Sequence, residues 1–234
     1  MKRFLVTAGN TRERIDHVRD WGNAFTGNTG YAIARALTKL GQVDLLTSNA
    51  QHLAEVESHL IPKLSGGGFT THAELLARIE ALMKAHKYDT IVMTAAVADY
   101  RPARTYAITS RETLADGTER WTVRDAQAEK IKSNHKLIAI VGEPTEKIVD
   151  LFRTRWAFEG TLVKFKLEVG IGVEELIRIG QVSRQASGAN YLVANTLDMV
   201  AGQNPGAYLL GDSGSEWIAR DELPKRLVAV VGGK

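Results

Sequence analysis

An α/β fold, an open parallel sheet with helices on both faces, is predicted by three features of this 234-residue sequence. Short apolar runs without strict alternation recur along the chain, as they do in strands buried on both sides. Between those runs apolar residues return at helical spacing, and the two patterns alternate in a way that calls for right-handed strand–helix–strand units. Apolar residues make up 44% of the chain, enough for a sizeable core. The expected plan is Rossmann-like: a single domain over 1–234 carrying one excursion hairpin, a lid, at about 103–136.

The elements follow in order. A strand over 4–8 leads into a polar loop, then Gly27 and Gly30, then a helix whose apolar face carries Ile33, Leu37 and Leu40. A strand over 43–47 comes next, and after it Leu75, Leu76, Ile79, Leu82 and Met83 share one helical face ahead of a strand over 90–95. Residues 103–136 break the rhythm. Asp116-Gly117, between Thr113-Leu114 and Trp121-Thr122-Val123, reads as a hairpin turn, and the polar, aperiodic stretch 126–135 reads as mobile. The series resumes with a helix bearing Ile148, Leu151, Phe152 and Trp156, then strands over 162–165 and 191–194. A second hairpin, 208–210 with 217–219 around glycines 211 and 214, is expected at the sheet edge.

Composition excludes several classes of function. The 30 basic and 27 acidic residues are spread evenly, with no basic stripe of the kind that tracks nucleic acid. No run of about 18 apolar residues offers a membrane helix, and Met1-Lys2-Arg3 leads straight into a strand, not into a signal-peptide core. Without cysteine there are no disulfides or thiolate metal sites, and the six histidines lack ligand spacing. A cytoplasmic protein with small-molecule partners is the expectation.

Three constellations carry chemistry. In the loop 9–30, Thr26, Gly27 and Gly30 open a helix whose unpaired N–H groups and dipole favour an anion, with Arg19 for a phosphate or carboxylate and Asn23 as an oxyanion donor. The same glycines are also what close packing of a βα loop requires. In Thr94-Ala95-Ala96-Val97-Ala98-Asp99, small residues let a nucleoside lie against the backbone, and Asp99 either holds a hydroxyl or Mg²⁺ or caps a turn before Pro102. Lys130 and Lys132, around Ile131, form either a clamp for phosphates or a solvated face. Ligands in such sheets bind beyond the carboxyl ends of the strands, so the loops after Ala8, Ala95 and Phe165 should converge.

Taken together and in order, these segments resemble the phosphopantothenoylcysteine synthetase (phosphopantothenate–cysteine ligase) family. The resemblance rests on Thr11-Arg-Glu13-Arg-Ile15-Asp16-His-Val18-Arg19, Asn23-Ala-Phe-Thr26-Gly27-Asn-Thr-Gly30, Ala95-Ala96-Val97-Ala98-Asp99-Tyr100, Lys130-Ile-Lys132-Ser133, Phe165 and Ala194-Asn195. It implies a ligase, in stand-alone form without the decarboxylase half, that joins 4′-phosphopantothenate to L-cysteine in coenzyme A synthesis. CTP, or ATP in animal members, would activate the acid as an acyl-nucleotidyl anhydride, with Mg²⁺ on the triphosphate. By carry-over, Asn23, Arg19 and Lys130 are catalytic. Met93, Thr94, Ala95, Asp99, Lys130, Thr145, Glu146, Lys147, Ile148 and Phe165 form the nucleotide pocket. Members are homodimers, and the excursion is the expected contact between subunits. Where the family carries two triphosphate-gripping lysines, this chain has Ser183 and Ser187, and the third lysine of the clamp is Ser133. Arg184 is the expected substitute. A relative that binds such ligands without this activity is a second reading. An NAD(P)-dependent reductase is a third, although the chain has neither Gly-x-Gly-x-x-Gly in the first loop nor Tyr-x-x-x-Lys.

Overall fold

The structure, a computed structural model, describes residues 1–202 and 204–233. In chain order the elements are β1 (Lys2–Ala8), β2 (Arg12–Arg14), β3 (Asp20–Gly22), α1 (Asn28–Leu37), β4 (Gly41–Thr47), α2 (Ala50–Glu57), β5 (Leu64–Gly68), α3 (His72–Ala85), β6 (Thr90–Met93), β7 (Tyr100–Thr113), β8 (Glu119–Asp125), β9 (Ile138–Pro144), α4 (Ile148–Thr154), β10 (Thr161–Glu168), α5 (Val173–Ala186), β11 (Tyr191–Thr196), α6 (Leu197–Ala201), β12 (Gly206–Gly211), β13 (Gly214–Ala219) and α7 (Leu223–Gly232).

Among the described residues, eight strands make the central sheet in the order β13-β12-β11-β10-β6-β1-β4-β5. Pairing from β11 through to β5 is parallel, and β12 and β13 add antiparallel strands at one edge, where the second hairpin was expected. The apolar runs are apolar on both faces for a direct reason. Phe4, Val6 and Ala8 of β1 share one core with Ile33 and Leu37 of α1, Val56 of α2 and Leu227 of α7. Leu5 turns the other way, into a second core with Leu75 and Ile79 of α3 and Ile148 and Phe152 of α4. Successive side chains along a strand leave opposite faces, so a strand covered on both sides must be apolar at consecutive positions. Leu176 of α5 covers Leu192, Ala194 and Leu210 further along the sheet.

Three local features refine this plan. The strand expected over 90–95 ends at Met93, because Thr94 Oγ1 donates to the Thr7 carbonyl at 2.6 Å and the Ala95 N–H donates to Thr7 Oγ1 at 3.2 Å. The excursion is wider than 103–136: β8, β7 and β9 form a separate antiparallel sheet over 100–144, with β9 pairing along β7 from Tyr100↔Pro144 to Ala107↔Ile138. Its β7–β8 turn lies at Asp116-Gly117 as expected, with Leu114 N–H donating to the Thr118 carbonyl at 2.8 Å and Gly117 at φ 83°. Lastly, the Lys2 ammonium, at the start of β1, donates to the carbonyls of Val231 (2.9 Å) and Gly232 (3.1 Å) at the end of α7.

Candidate functional site

The sheet order reverses between β1 and β6. From β1 the chain runs outward through β4 and β5, then returns to the other side of β1 as β6 and continues towards β10 and β11. At such a switch point a ligand site is expected beyond the strand ends; the loops leaving β1 and β6 run side by side there, with Ala96 N–H donating to the Gly9 carbonyl at 2.8 Å and Thr11 N–H to that of Ala96 at 3.2 Å. A cavity of about 200 Å³ opens there. Of the residues expected in the site, Thr26, Gly27, Gly30, Thr94, Ala95 and Phe165 line it, whereas Arg19, Asn23, Met93, Asp99, Lys130 and residues 145–148 do not; the loops after β1 and β6 reach the cavity, and β10 contributes strand residues, not the loop that follows it.

α1 begins at this crevice with Gly27 as N-cap at φ 80°, with no capping side chain and no acidic residue in the first turn. Its first N–H groups and the positive end of its dipole thus face the cavity without a competing carboxylate. The glycines also serve packing: a Cβ on Gly27 would stand 2.2 Å from the Gly9 nitrogen, and one on Gly30 would stand 2.2 Å from Thr94 Oγ1. The packing reading and the anion-seat reading are therefore compatible, since only glycine lets the helix start rest on the ends of β1 and β6. Asn49 Nδ2 donates to the Thr26 carbonyl at 3.0 Å and Asn10 Nδ2 to that of Asn23, which fixes the loop ahead of the helix. Asn23 in turn directs Nδ2 to the Ala96 carbonyl at 3.2 Å, joining the first and second sequence motifs.

Arg19 and Lys130 come together through their neighbours. Asp16, with its side chain fully shielded, pairs with Arg19 at 2.6 Å, and the Arg19 guanidinium also donates to the Ile131 carbonyl at 2.7 Å. Burial works against the Asp16 carboxylate, but hydrogen bonds from Ile131, Val18 and Arg19 outweigh it and hold the group well below the usual carboxylate range. Lys130 and Lys132 are exposed on either side of buried Ile131.

The segment 145–148 meets the Asp99 loop. Thr145 N–H donates to the Asp99 carbonyl at 2.9 Å, and Thr145 Oγ1 donates to that of Ala98 at 2.5 Å. The Asp99 carboxylate and Lys147 are exposed, whereas Glu146 pairs with Arg155 at 2.9 Å. Met93 and Ile148 have their side chains in the second core, and Met93 is flanked by paired strands on both sides. Arg184 departs from expectation. It is 6% exposed, donates to the carbonyls of Ala189 and Asn190 at 3.3 and 3.2 Å, pairs with Asp212 at 2.8 Å, and does not line the crevice. Its helical phase turns it towards the α5–β11 junction, while the neighbouring Ser183 receives another cation. Lys164 of β10 donates to Ser183 Oγ at 3.1 Å. Burial pulls the Lys164 ammonium's pKa down; Asp150 opposes that shift, and Lys166 and Lys147 add to it.

Among the described residues no group of three His, Asp or Glu side chains is placed to hold a metal ion, and no helix is long and apolar enough to cross a membrane. Sequence reasoning missed Arg220, which lines the crevice and carries no local motif that would have marked it.

Comparison with known proteins gives a consistent picture. Residues 1–113 match the family model described as the DNA/pantothenate metabolism flavoprotein C-terminal domain. The coenzyme A biosynthesis bifunctional protein CoaBC of Thermococcus kodakarensis is 33% identical over 231 residues, covering 97% of this chain and 50% of that protein. The chain thus spans half the length of that curated relative. Among solved structures, a DNA/pantothenate metabolism flavoprotein from Streptococcus pneumoniae superposes with a TM-score of 0.78 at 24% identity, covering 100% of this chain and 99% of that one. A Cab2 mutant in complex with phosphopantothenate-cysteine gives 0.68 at 16% identity, over 99% and 85%. At these identities the two structures speak for the fold, a mostly parallel sheet flanked by helices.

Proposed function

The chain belongs to the DNA/pantothenate metabolism flavoprotein C-terminal domain family, and from that premise we propose that it is a nucleotide-dependent ligase joining 4′-phosphopantothenate to L-cysteine in coenzyme A synthesis. The observation that carries this reading is the meeting of Asn23 with the Ala96 carbonyl beside the uncapped start of α1, at the strand ends where the sheet order reverses.

In this reading the phosphate of the acid sits at the start of α1, over Thr26, Gly27 and Gly30. Arg19, 45% exposed after its pairing with Asp16, draws the carboxylate into position. A carboxylate oxygen then bonds to the α-phosphorus of CTP, with ATP as the alternative nucleotide, and the bond to the departing pyrophosphate breaks. The cysteine amine next attacks the acyl carbon and the nucleoside monophosphate leaves. Asn23 Nδ2 exchanges its contact with Ala96 for the oxygen that gains charge during this attack. Lys130 closes over the phosphates. Met93, Thr94 and Ala95 offer main-chain groups and Phe165 an apolar wall, while Thr145, Glu146, Lys147 and Ile148 shape the far side. Mg²⁺ would neutralise the triphosphate and keep most of its water, and one exposed carboxylate, Asp99, suffices for such a site. The exposed apolar residues Trp121, Val123 and Val141 on the β8-β7-β9 sheet support a homodimer formed through the excursion, and a cytoplasmic location follows from the pathway.

Purified protein mixed with 4′-phosphopantothenate, cysteine, Mg²⁺ and either CTP or ATP should release pyrophosphate, and comparing the two nucleotides identifies the co-substrate. Asn23→Asp should lower turnover by about a hundredfold, the scale expected when one oxyanion donor is removed. Absence of pyrophosphate with both nucleotides, from folded protein, rejects the ligase in favour of a binding relative.

A further inference from the structure

Asp16 reaches further than the turn in which it stands. Its Oδ1 accepts from the main-chain N–H groups of Val18 and Arg19, both at 2.8 Å, and these bonds close the turn between β2 and β3. Its Oδ2 is used differently. It accepts from Arg19 Nε at 3.1 Å and Arg19 Nη2 at 2.6 Å, and also from the main-chain N–H of Ile131 at 3.0 Å, 115 residues away. Arg19 completes the ring by donating from Nη2 to the Ile131 carbonyl at 2.7 Å. A second main-chain rung lies beside it, where His17 N–H donates to the Glu129 carbonyl at 2.9 Å.

A turn of this kind needs only one carboxylate oxygen. The second oxygen joins two segments that the turn does not require to meet. One carries Arg19. The other, between β8 and β9, has no helix or strand over 126–137, so its conformation depends on anchors to the rest of the molecule. Ile131 is the anchor: it is 2% exposed, with both main-chain groups bonded to the Asp16–Arg19 pair. Lys130 and Lys132 are carried outward on either side of it. Charge-assisted bonds to a shielded carboxylate are the stronger class of hydrogen bond, so this junction is stiffer than its few contacts would suggest.

We propose that Asp16 is a positioning residue that couples the Arg19 guanidinium to the 129–132 segment through Oδ2, so that Arg19 and Lys130 are presented as one unit. The roles of Arg19 and Lys130 towards substrate rest on the ligase reading, whereas the coupling itself rests on geometry alone. A group with only the turn to hold would leave the lysine segment indifferent to its replacement.

Asp16→Asn separates the two functions of the side chain. The amide keeps an oxygen for the turn bonds of Val18 and Arg19, but sets an NH₂ against the three donors now served by Oδ2. In ligand-free protein, exchange of the Ile131 amide hydrogen should accelerate at least tenfold, while amides of β1 keep their wild-type rates. Unchanged exchange at Ile131 overturns the coupling, whatever reaction the protein performs. If Asp16→Asn does not fold, Ile131→Pro removes the distant donor together with the buried isoleucine side chain, so Ile131→Ala, which keeps the donor, is its control: faster exchange at residues 129, 130 and 132 in the proline variant than in the alanine variant is then the expected result, with equal rates overturning the proposal. In turnover, the combined loss in Asp16→Asn/Lys130→Ala should be at least threefold smaller than the product of the two single losses, because each change disables the same unit. A multiplicative loss overturns the coupling. If the wild-type protein makes no pyrophosphate, the ligase reading fails and the exchange measurement alone decides the coupling.

Discussion

Replacing Gly27 with alanine probes the contact on which the start of α1 depends. The new Cβ would lie 2.2 Å from the nitrogen of Gly9 and 2.7 Å from its Cα, both main-chain atoms at the end of β1 that cannot swing aside. Residue 27 would also have to hold φ 80°, a left-handed conformation that costs an L-residue about 1–2 kcal/mol. Forcing the methyl against the backbone adds an overpacking cost of about 1–3 kcal/mol, for a total of about 2–5 kcal/mol. Gly117→Ala supplies the reference. Gly117 has nearly the same φ, 83°, but a Cβ there meets nothing within 4 Å, so only the conformational cost applies. In thermal melts, at about 2–4 °C per kcal/mol for a chain of this size, Gly27→Ala should lose about 4–20 °C and Gly117→Ala about 2–8 °C. The difference isolates the contact. Equal shifts would refute the argument that the helix needs glycine in order to rest on β1. A phosphate-bearing ligand should weaken with Gly27→Ala alone, since the first N–H groups of α1 would be displaced.

Two further outcomes follow from buried cations and bases. His52 is 7% exposed, stacks on Tyr31 with 4.2 Å between ring centres, and has no partner for Nδ1 among the described residues. Burial lowers its pKa against the opposing pull of Glu55, so below about pH 6.5 the unfolded chain takes up a proton that the folded chain resists. Stability should therefore fall as pH drops from 7 towards 5, and urea melts of His52→Phe should show a shallower decline; an unchanged slope would exclude His52 as its source. Arg184→Met should cost about 1.5–3 kcal/mol in a urea melt by leaving the Ala189 and Asn190 carbonyls without their donor, while the KM for nucleotide stays unchanged. A tenfold rise in that KM at unchanged stability would return the guanidinium to the nucleotide site.

The central strands were readable in the sequence because burial on both faces leaves a mark in composition: β1, β4, β6, β10 and β11 all appear as apolar runs. β5 was not readable. It is Leu-Ser-Gly-Gly-Gly, and a Cβ on Gly66 would lie 2.0 Å from the Leu45 carbonyl, so the same tight approach that admits the strand removes the side chains that would announce it. β9 was missed for another reason, since its side chains are largely exposed or half-buried and show no periodicity. At the crevice, Gly27 and Gly30 could be read because a loop between strand and helix narrows what such residues can do, and both line it. Arg184 could not: whether an arginine on an amphipathic helix meets solvent, ligand or a carbonyl depends on helical phase against a strand distant in sequence. The link from Asp16 to Ile131 is likewise a tertiary fact, since nothing near either residue names the other.

The bonds from the Lys2 ammonium to the main-chain carbonyls of Val231 and Gly232 tie together segments about 230 residues apart. Covalent connectivity and spatial order are therefore separable in this molecule. A short flexible peptide joining those ends, with the chain reopened in the exposed β7–β8 turn at Asp116-Gly117, gives a circular permutant that preserves every strand neighbour of the central sheet while reversing which half of the molecule leaves the ribosome first.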